Sequence, residues 1–215
     1  MTAGPTLPDE LDAESGRELV SLARDAIANP AGDDRPSRSV EGEAPATFGG
    51  AFVTLERGDR LRGCCGRIDA EEPLRRVVRS SAIAAAREDP RCATVEPAEM
   101  DAVTVVVTVL SEPVVAPVDS ADALPEAISV GRNGLLVTRG PSRGVLLPQV
   151  AVDHDLNARE FLAAACRKAG LPGDAWRRDG VDVARFTGRA FAERRPGGEV
   201  DVRRYDRPTA DGWST

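Results

Sequence analysis

AFVTLERGDRLRGCCGRI, residues 51–68, reads as a β-hairpin. Phe52, Val53, Thr54 and Leu55 supply aromatic and β-branched residues suited to a pleated surface. The spacing predicts one strand near 51–56 and a second near 61–68, with Arg57-Gly58-Asp59 as the turn. Two glycines, Gly63 and Gly66, interrupt the second strand. Glycine weakens a strand interior, so each marks a bulge or a close approach by a ligand or by another stretch of backbone. In a regular strand, neighbours alternate faces. Arg62 then shares a face with Cys64, and Cys65 shares the other with Arg67.

The chain on either side of the hairpin sets the fold class. Upstream, Ser15-Gly16-Arg17-Glu18 has the form of a capping box and predicts a helix starting at Ser15, with Leu19, Val20, Ala23, Ala26 and Ile27 as its apolar stripe and Pro30 as its end. Residues 30–46 are rich in Pro, Gly and acids and read as a mobile loop. Downstream, Pro73 opens a helix whose apolar face is Leu74, Val77, Val78, Ala82 and Ala85. AVTVVVTVL, 102–110, reads as a buried central strand. Ser120 begins a short helix. A second hairpin turns around Gly140–Gly144, with Gln149 placed at a strand end. Asn157 and Glu160 form a capping box for a helix closed by Gly170 and Pro172, and a last strand follows. Hairpins outnumber βαβ crossovers. The expected fold is therefore α+β, a largely antiparallel sheet with flanking helices, divisible into two subdomains with a cleft between them.

Composition narrows the function classes. The 215 residues are 41% hydrophobic and 29% charged, and only 4% aromatic, so the core must come from Val, Leu, Ile and Ala. No apolar run reaches the roughly 18 residues of a membrane span. The first residues have no signal-peptide pattern, and the expected location is cytoplasmic. The net charge is −7; residues 1–46 alone hold ten acids against four arginines. That distribution argues against nucleic-acid binding through a basic face. Lys168 is the single lysine among 28 cations. A salt-rich cytoplasm and a GC-rich genome would both produce such a bias. Seven arginines face five acids between residues 56 and 79, and this local excess reads either as a solvated helix face or as an anion site.

Cys64, Cys65, Cys92 and Cys166 are too few and too irregular for a disulfide framework. No CxxC occurs, and His154 is the only histidine, so neither a zinc site nor a Cys-His pair is expected. A vicinal Cys64–Cys65 bridge would be strained.

Several motifs, taken in order, carry a resemblance. FVTL, then Leu61-Arg62-Gly63-Cys64-Cys65-Gly66, then AIAAAREDPR, VLLPQVA and FLAAACRKAGL together resemble the AMMECR1 domain family over residues 14–193. Residues 1–13 then read as a flexible N-terminus and 194–215 as a polar tail. Departures from the family pattern are Cys65, where an aliphatic residue is usual, Cys92, where an aromatic commonly follows DPR, and Asp153-His154 after the LLPQVA segment. The resemblance implies a single α+β protein with its LRGC motif beside a cleft, and association with Memo-like or radical-SAM-like proteins; separately, no cofactor is expected. It carries no settled activity and leaves the oligomeric state open.

Two readings follow for the site. In one, Cys64 is a catalytic nucleophile or redox thiol, with Arg62 favouring its thiolate or binding an anion. In the other, the same cleft belongs to a non-catalytic adaptor or regulator that binds a protein or an anionic small ligand. Gly63, Cys65, Gly66, Arg67, Arg91 and Gln149 complete the candidate ligand-binding set. Against both stands simple packing, because cysteine is often buried and inert.

Overall fold

The computed structural model describes residues 11–29, 48–68 and 71–203. The expected mobile loop at 30–46, and most of the expected N-terminal arm, lie outside these residues. In chain order the elements are α1 (Ala13–Ala28), β1 (Phe48–Arg57), β2 (Arg60–Ile68), α2 (Leu74–Arg87), β3 (Thr104–Ser111), β4 (Val114–Val115), β5 (Asn133–Arg139), β6 (Ser142–Leu146), α3 (Pro148–Asp153), α4 (Ala158–Lys168), β7 (Asp182–Glu193) and β8 (Val200–Arg203). Short 3-10 turns occupy Pro97–Ala102, Ala121–Ala127 and Ala175–Arg177. Every strand pairing with a recorded register is antiparallel, so the α+β class holds.

The chain divides into two compact units, with β7 passing from one to the other at Gly188–Arg189. The Cys64 unit holds the described residues up to Glu112 and Arg189–Arg203. Its sheet is built on β2-β1-β3. Ala51, Val53 and Leu55 of β1 stand opposite Val109, Val107 and Val105 of β3. All six are buried in one cluster with Leu19, Val20, Ala23 and Ile27 of α1 and Val77, Val78, Ala82 and Ala85 of α2. This is period-two alternation meeting helical stripes. Each Val or Leu so buried contributes about 1.5–3 kcal/mol. Phe191 is the one aromatic ring buried in the cluster, and the small helix residues let both helices lie close to the sheet.

Four local expectations change. The cap of α1 is Asp12, whose carboxylate accepts from the Ser15 N–H at 2.8 Å. Ser15 therefore lies inside the first turn, because a charged acceptor three residues upstream displaces its hydroxyl from the capping role. The first hairpin turn is the two-residue Gly58-Asp59, with Gly58 at φ +56°. The segment read as a polar tail supplies β8, which pairs with Ala190–Glu193. Gln149 lies on α3 rather than at a strand end; Pro148 at the start of that helix pre-sets its first turn.

The Cys166 unit covers the described residues from Pro113 to Gly188. The β5–β6 hairpin is extended by β7, and β4 pairs with the other edge of β7. Helix α4 packs Phe161, Leu162, Ala165 and Cys166 into a second cluster with Leu135, Val137 and Trp176. Its capping box is as expected, Asn157 accepting from the Glu160 N–H and Glu160 from the Asn157 N–H. Among the described residues no helix is long and apolar enough to cross a membrane.

Candidate functional site

The LRGCCG strand, β2, is an outer strand of its sheet, and its register with β1 decides where each side chain goes. Leu55 pairs with Gly63, but Glu56 pairs with Leu61. Arg62 is thus the extra residue of a β-bulge, and simple alternation stops there. Its guanidinium donates to both Glu99 carboxylate oxygens at 3.0 Å and to the Ala93 carbonyl at 3.3 Å. The cation expected beside Cys64 is therefore committed to the Pro97–Ala102 turn.

Past the bulge alternation resumes. Cys64 stands opposite Thr54 and Cys65 opposite Val53. Cys65 accordingly packs against the buried cluster. Gly63 is buried on that same side. A Cβ there would lie 1.9 Å from the Ala85 carbonyl oxygen of α2, so the close approach it permits is that of a helix backbone. Gly66 lies opposite Phe52, whose ring takes the space of any side chain at that position. Arg67 is exposed and donates to Glu72 and to the Ser80 hydroxyl. With Arg62 held by Glu99 and Arg75 near Glu18 as well, three of the seven arginines of that stretch stand beside a carboxylate.

Cys64 lies on the second face of the sheet, partly buried. The Thr54 hydroxyl donates to its Sγ at 3.3 Å. Its backbone N–H donates outward from the strand edge to Asp89 Oδ2 at 2.8 Å. Asp89, only 2% exposed along its side chain, also accepts from Arg91 Nε at 2.9 Å and Nη2 at 2.7 Å, and from the Arg91 backbone N–H at 3.0 Å. One buried carboxylate thereby locks the strand edge and aims a guanidinium that is 59% exposed. Arg91 holds the Asp89 carboxyl well below the usual carboxylate range, and Asp89 in turn pushes Arg91 up. Nearby, the Cys92 thiol donates to the Leu61 carbonyl at 3.8 Å.

Burial pushes the Cys64 thiol up from its ordinary value, against the opposing pull of the Thr54 hydrogen bond and the Arg91 charge. The resting sulfur is therefore protonated at neutral pH. The charges acting on it are those of Arg91, which favours the thiolate, and Asp89, which opposes it, and not that of Arg62. Because the folded-state thiol titrates above the unfolded one, its contribution to stability is complete below the ordinary thiol range and is lost as pH rises through the raised value. Thr54→Val removes the hydrogen bond to the thiolate, so the iodoacetamide labelling profile of Cys64 is expected to move to still higher pH. A profile that stays put or moves down would remove the hydroxyl from this balance.

Of the residues singled out in the sequence, the structure thus brings Cys64 and Arg91 together through Asp89 and gives Arg62, Gly63, Cys65, Gly66 and Arg67 other neighbours. Gln149 and His154 belong to the Cys166 unit. Thr54 was missed; Asp89 was legible as a carboxylate able to orient groups, but not as the one that joins the Cys64 N–H to Arg91. The first needs the strand register. The second had a signal in the Glu88-Asp89-Pro90-Arg91 stretch, where a carboxylate two residues before an arginine favours a local fork.

Comparison with known proteins agrees with this architecture. The AMMECR1 family profile matches residues 20–191, and the chain belongs to that family. A protein from Methanococcoides burtonii is 40% identical over 199 residues, covering 91% of this chain and 98% of its own. One from Thermofilum pendens is 43% identical over 204 residues, covering 88% and 95%. The crystal structure of the uncharacterized protein PH0010 from Pyrococcus horikoshii matches with a TM-score of 0.83 at 37% identity, covering 90% of this chain and 98% of that one.

Proposed function

We propose that the Cys64 site is a recognition point for an anionic group, carried by a small ligand or by a partner protein, with Arg91 as its cation and Cys64 as a neutral thiol beside it. The observation that carries this reading is the double grip of Asp89. It holds the Cys64 N–H and two nitrogens of Arg91 at once, while Arg91 stays mostly exposed. A guanidinium held still by a buried carboxylate meets an incoming anion with little ordering cost. Adjacent Asp89 reduces the net charge offered, so the affinity for a simple anion is modest and specificity rests on the thiol and the strand edge.

A second reading has a specific observation in its favour. The Thr54 hydrogen bond to Sγ and the field of Arg91 both favour a thiolate. A ligand that lifts the burial penalty on Cys64 would leave those two influences set against the opposing Asp89 charge, and where they prevail the thiol becomes a nucleophile or redox centre. In either case the partners to test first are the Memo-like and radical-SAM-like proteins implied by the family resemblance, acting together with this chain in the cytoplasm.

The test is a titration with inorganic phosphate at constant ionic strength, read by thermal shift. Wild type is expected to gain stability with concentration, Arg91→Ala to lose most of that gain, and Cys64→Ala to keep it. An unchanged gain in Arg91→Ala would remove the recognition reading. Alkylation of Cys64 at pH 7 that is slow alone and speeds up when phosphate is added would favour the thiol reading in its place.

A further inference from the structure

The outer edge of β2 changes character at Cys64. On the N-terminal side it is closed. Asp89 Oδ2 accepts from the Cys64 N–H at 2.8 Å, the Cys92 thiol donates to the Leu61 carbonyl at 3.8 Å, and the bulge at Arg62 breaks the ladder. Bulges and local side-chain partners keep a sheet edge from pairing with another chain. On the C-terminal side the edge has no such cover. The Cys64 N–H points away from β1, so the Cys64 carbonyl does too, as do the N–H and carbonyl of Gly66 two residues on in the same ladder. β2 is the outermost strand, and among the described residues no other segment bonds to these three groups.

The elements that frame this edge are basic. β2 carries three arginines and α2 four, and neither element holds an acid. Helix α2 runs antiparallel to β2: its Ala85 stands at Gly63, and its Ser80 hydroxyl accepts from Arg67. Arg76 and Arg87 lie on the Ser80 side of the helix, four residues before it and seven after. Both are exposed, and neither forms an ion pair among the described residues. The acids at the ends of α2, Glu71, Glu72 and Glu88, lie outside the helix itself, and Glu72 is held by Arg67. The other face of the edge is apolar, because the half-buried Phe52 ring lies over Gly66.

We infer that the Cys64–Gly66 edge is a docking site for an extended segment of a partner protein, added to β2 as an outer strand, in which acidic residues alternate with apolar ones. The Cys64 carbonyl and the two backbone groups of Gly66 supply main-chain hydrogen bonds, as an exposed sheet edge does when it takes up a peptide strand. Side chains of the added strand alternate between faces. Those on the α2 side meet Arg76 and Arg87, where carboxylates fit. Those on the other side meet Phe52, where apolar residues fit. Opposite charge across such a surface selects the partner and speeds the encounter. This inference goes beyond the Arg91 proposal and uses none of its side chains.

The probe is a capped peptide of about six alternating Glu and Val residues, the length of an ordinary strand, added to the full chain at matched ionic strength. A Lys-Val peptide of the same length and a fully N-methylated Glu-Val peptide serve as comparisons. Hydrogen exchange is expected to find the Gly66 amide unprotected in the free protein and slowed by about tenfold at saturating Glu-Val peptide. The Cys64 amide, already held by Asp89, is expected to stay as it was. By calorimetry the double variant Arg76→Gln, Arg87→Gln is expected to bind roughly tenfold more weakly, and Arg132→Gln, an exposed arginine of the Cys166 unit, is expected to bind as wild type does. No slowing at Gly66, or equal binding of the Lys-Val or the N-methylated peptide, overturns the inference. So does a Gly66 amide already protected in the free protein, which would mean that the edge is covered. Protection that grows with protein concentration alone would make a second copy of the chain the occupant and overturn the acidic-partner assignment. The two proposals fail separately: the phosphate response follows Arg91, and Gly66 protection by the peptide does not.

Discussion

Glu193→Ala is expected to destabilise the Cys64 unit by about 3–5 kcal/mol, the usual cost of stripping one partner from a buried ion pair. Glu193 closes β7, and its side chain is only 3% exposed. Arg24 of α1 donates to it through Nε at 2.7 Å and through Nη2. The same guanidinium donates to the Met100 and Val103 carbonyls, and the Val105 N–H donates to Glu193 Oε2. One carboxylate and one guanidinium thus join α1, the 97–102 turn, β3 and β7. Truncating Glu193 leaves Arg24 without its counter-charge and the Val105 N–H without an acceptor. For a chain of this length the loss corresponds to a fall in Tm of roughly 6–20 °C. Urea unfolding followed by circular dichroism measures it. The double variant Arg24→Met, Glu193→Leu is expected to recover much of the loss, because an apolar pair can replace a buried ion pair. A cost below about 1 kcal/mol for Glu193→Ala would mean that solvent reaches the pair, contrary to its burial.

The second large effect is expected at Gly63→Ala. The added methyl would sit 1.9 Å from the Ala85 carbonyl oxygen, a backbone atom of α2. A flexible side-chain tip could move aside, but a helix backbone can do so only by shifting as a body. Overpacking typically costs about 1–3 kcal/mol, and this variant is expected at the upper end of that range or above it. The consequence reaches the site. Helix α2 ends at Arg87, two residues before Asp89, so lifting Ala85 draws Asp89 away from the Cys64 N–H. Iodoacetamide should then label Cys64 faster at a given pH, since part of the burial that raises its pKa is lost. Gly58→Ala is the control. It has φ +56° and no neighbour within 4 Å, so it is expected to cost only about 1–2 kcal/mol of left-handed strain and to leave Cys64 labelling unchanged. Equal effects at the two glycines would show that conformational freedom, not the approach of α2, explains Gly63.

Legibility differed from element to element for physical reasons. The β1–β2 hairpin and the stripes of α1 and α2 were readable because periodicity is local: side chains two or 3.6 residues apart must share a face whatever lies beyond them. The Asn157–Glu160 cap was readable for the same reason. Arg62 was misplaced because a bulge shifts the pleat by one residue, and a bulge depends on the partner strand. β8 was missed because Val200–Arg203 is short and half polar, and only the edge of β7 makes a strand of it. The start of α1 was misread because two capping residues competed, and the charged one prevailed.

At the site, the residue types near Cys64 were legible, whereas their partnerships were not. That Gly63 marks a close approach follows from the strand alone; that the approaching group is Ala85 does not. The amino-acid order by itself determined the α+β class, the helix faces and membership of the AMMECR1 family, but not the core's makeup: the expected Val, Leu, Ile and Ala core also buries Phe161, Phe186, Phe191 and Trp176. Only the tertiary structure decided that Arg91 rather than Arg62 acts on Cys64, that Asp89 joins the two, and that burial outweighs both the arginine and the Thr54 hydroxyl in setting the thiol. Periodicity acts within a few residues along the chain, but desolvation and charge act through space and exist only once distant segments have been brought together.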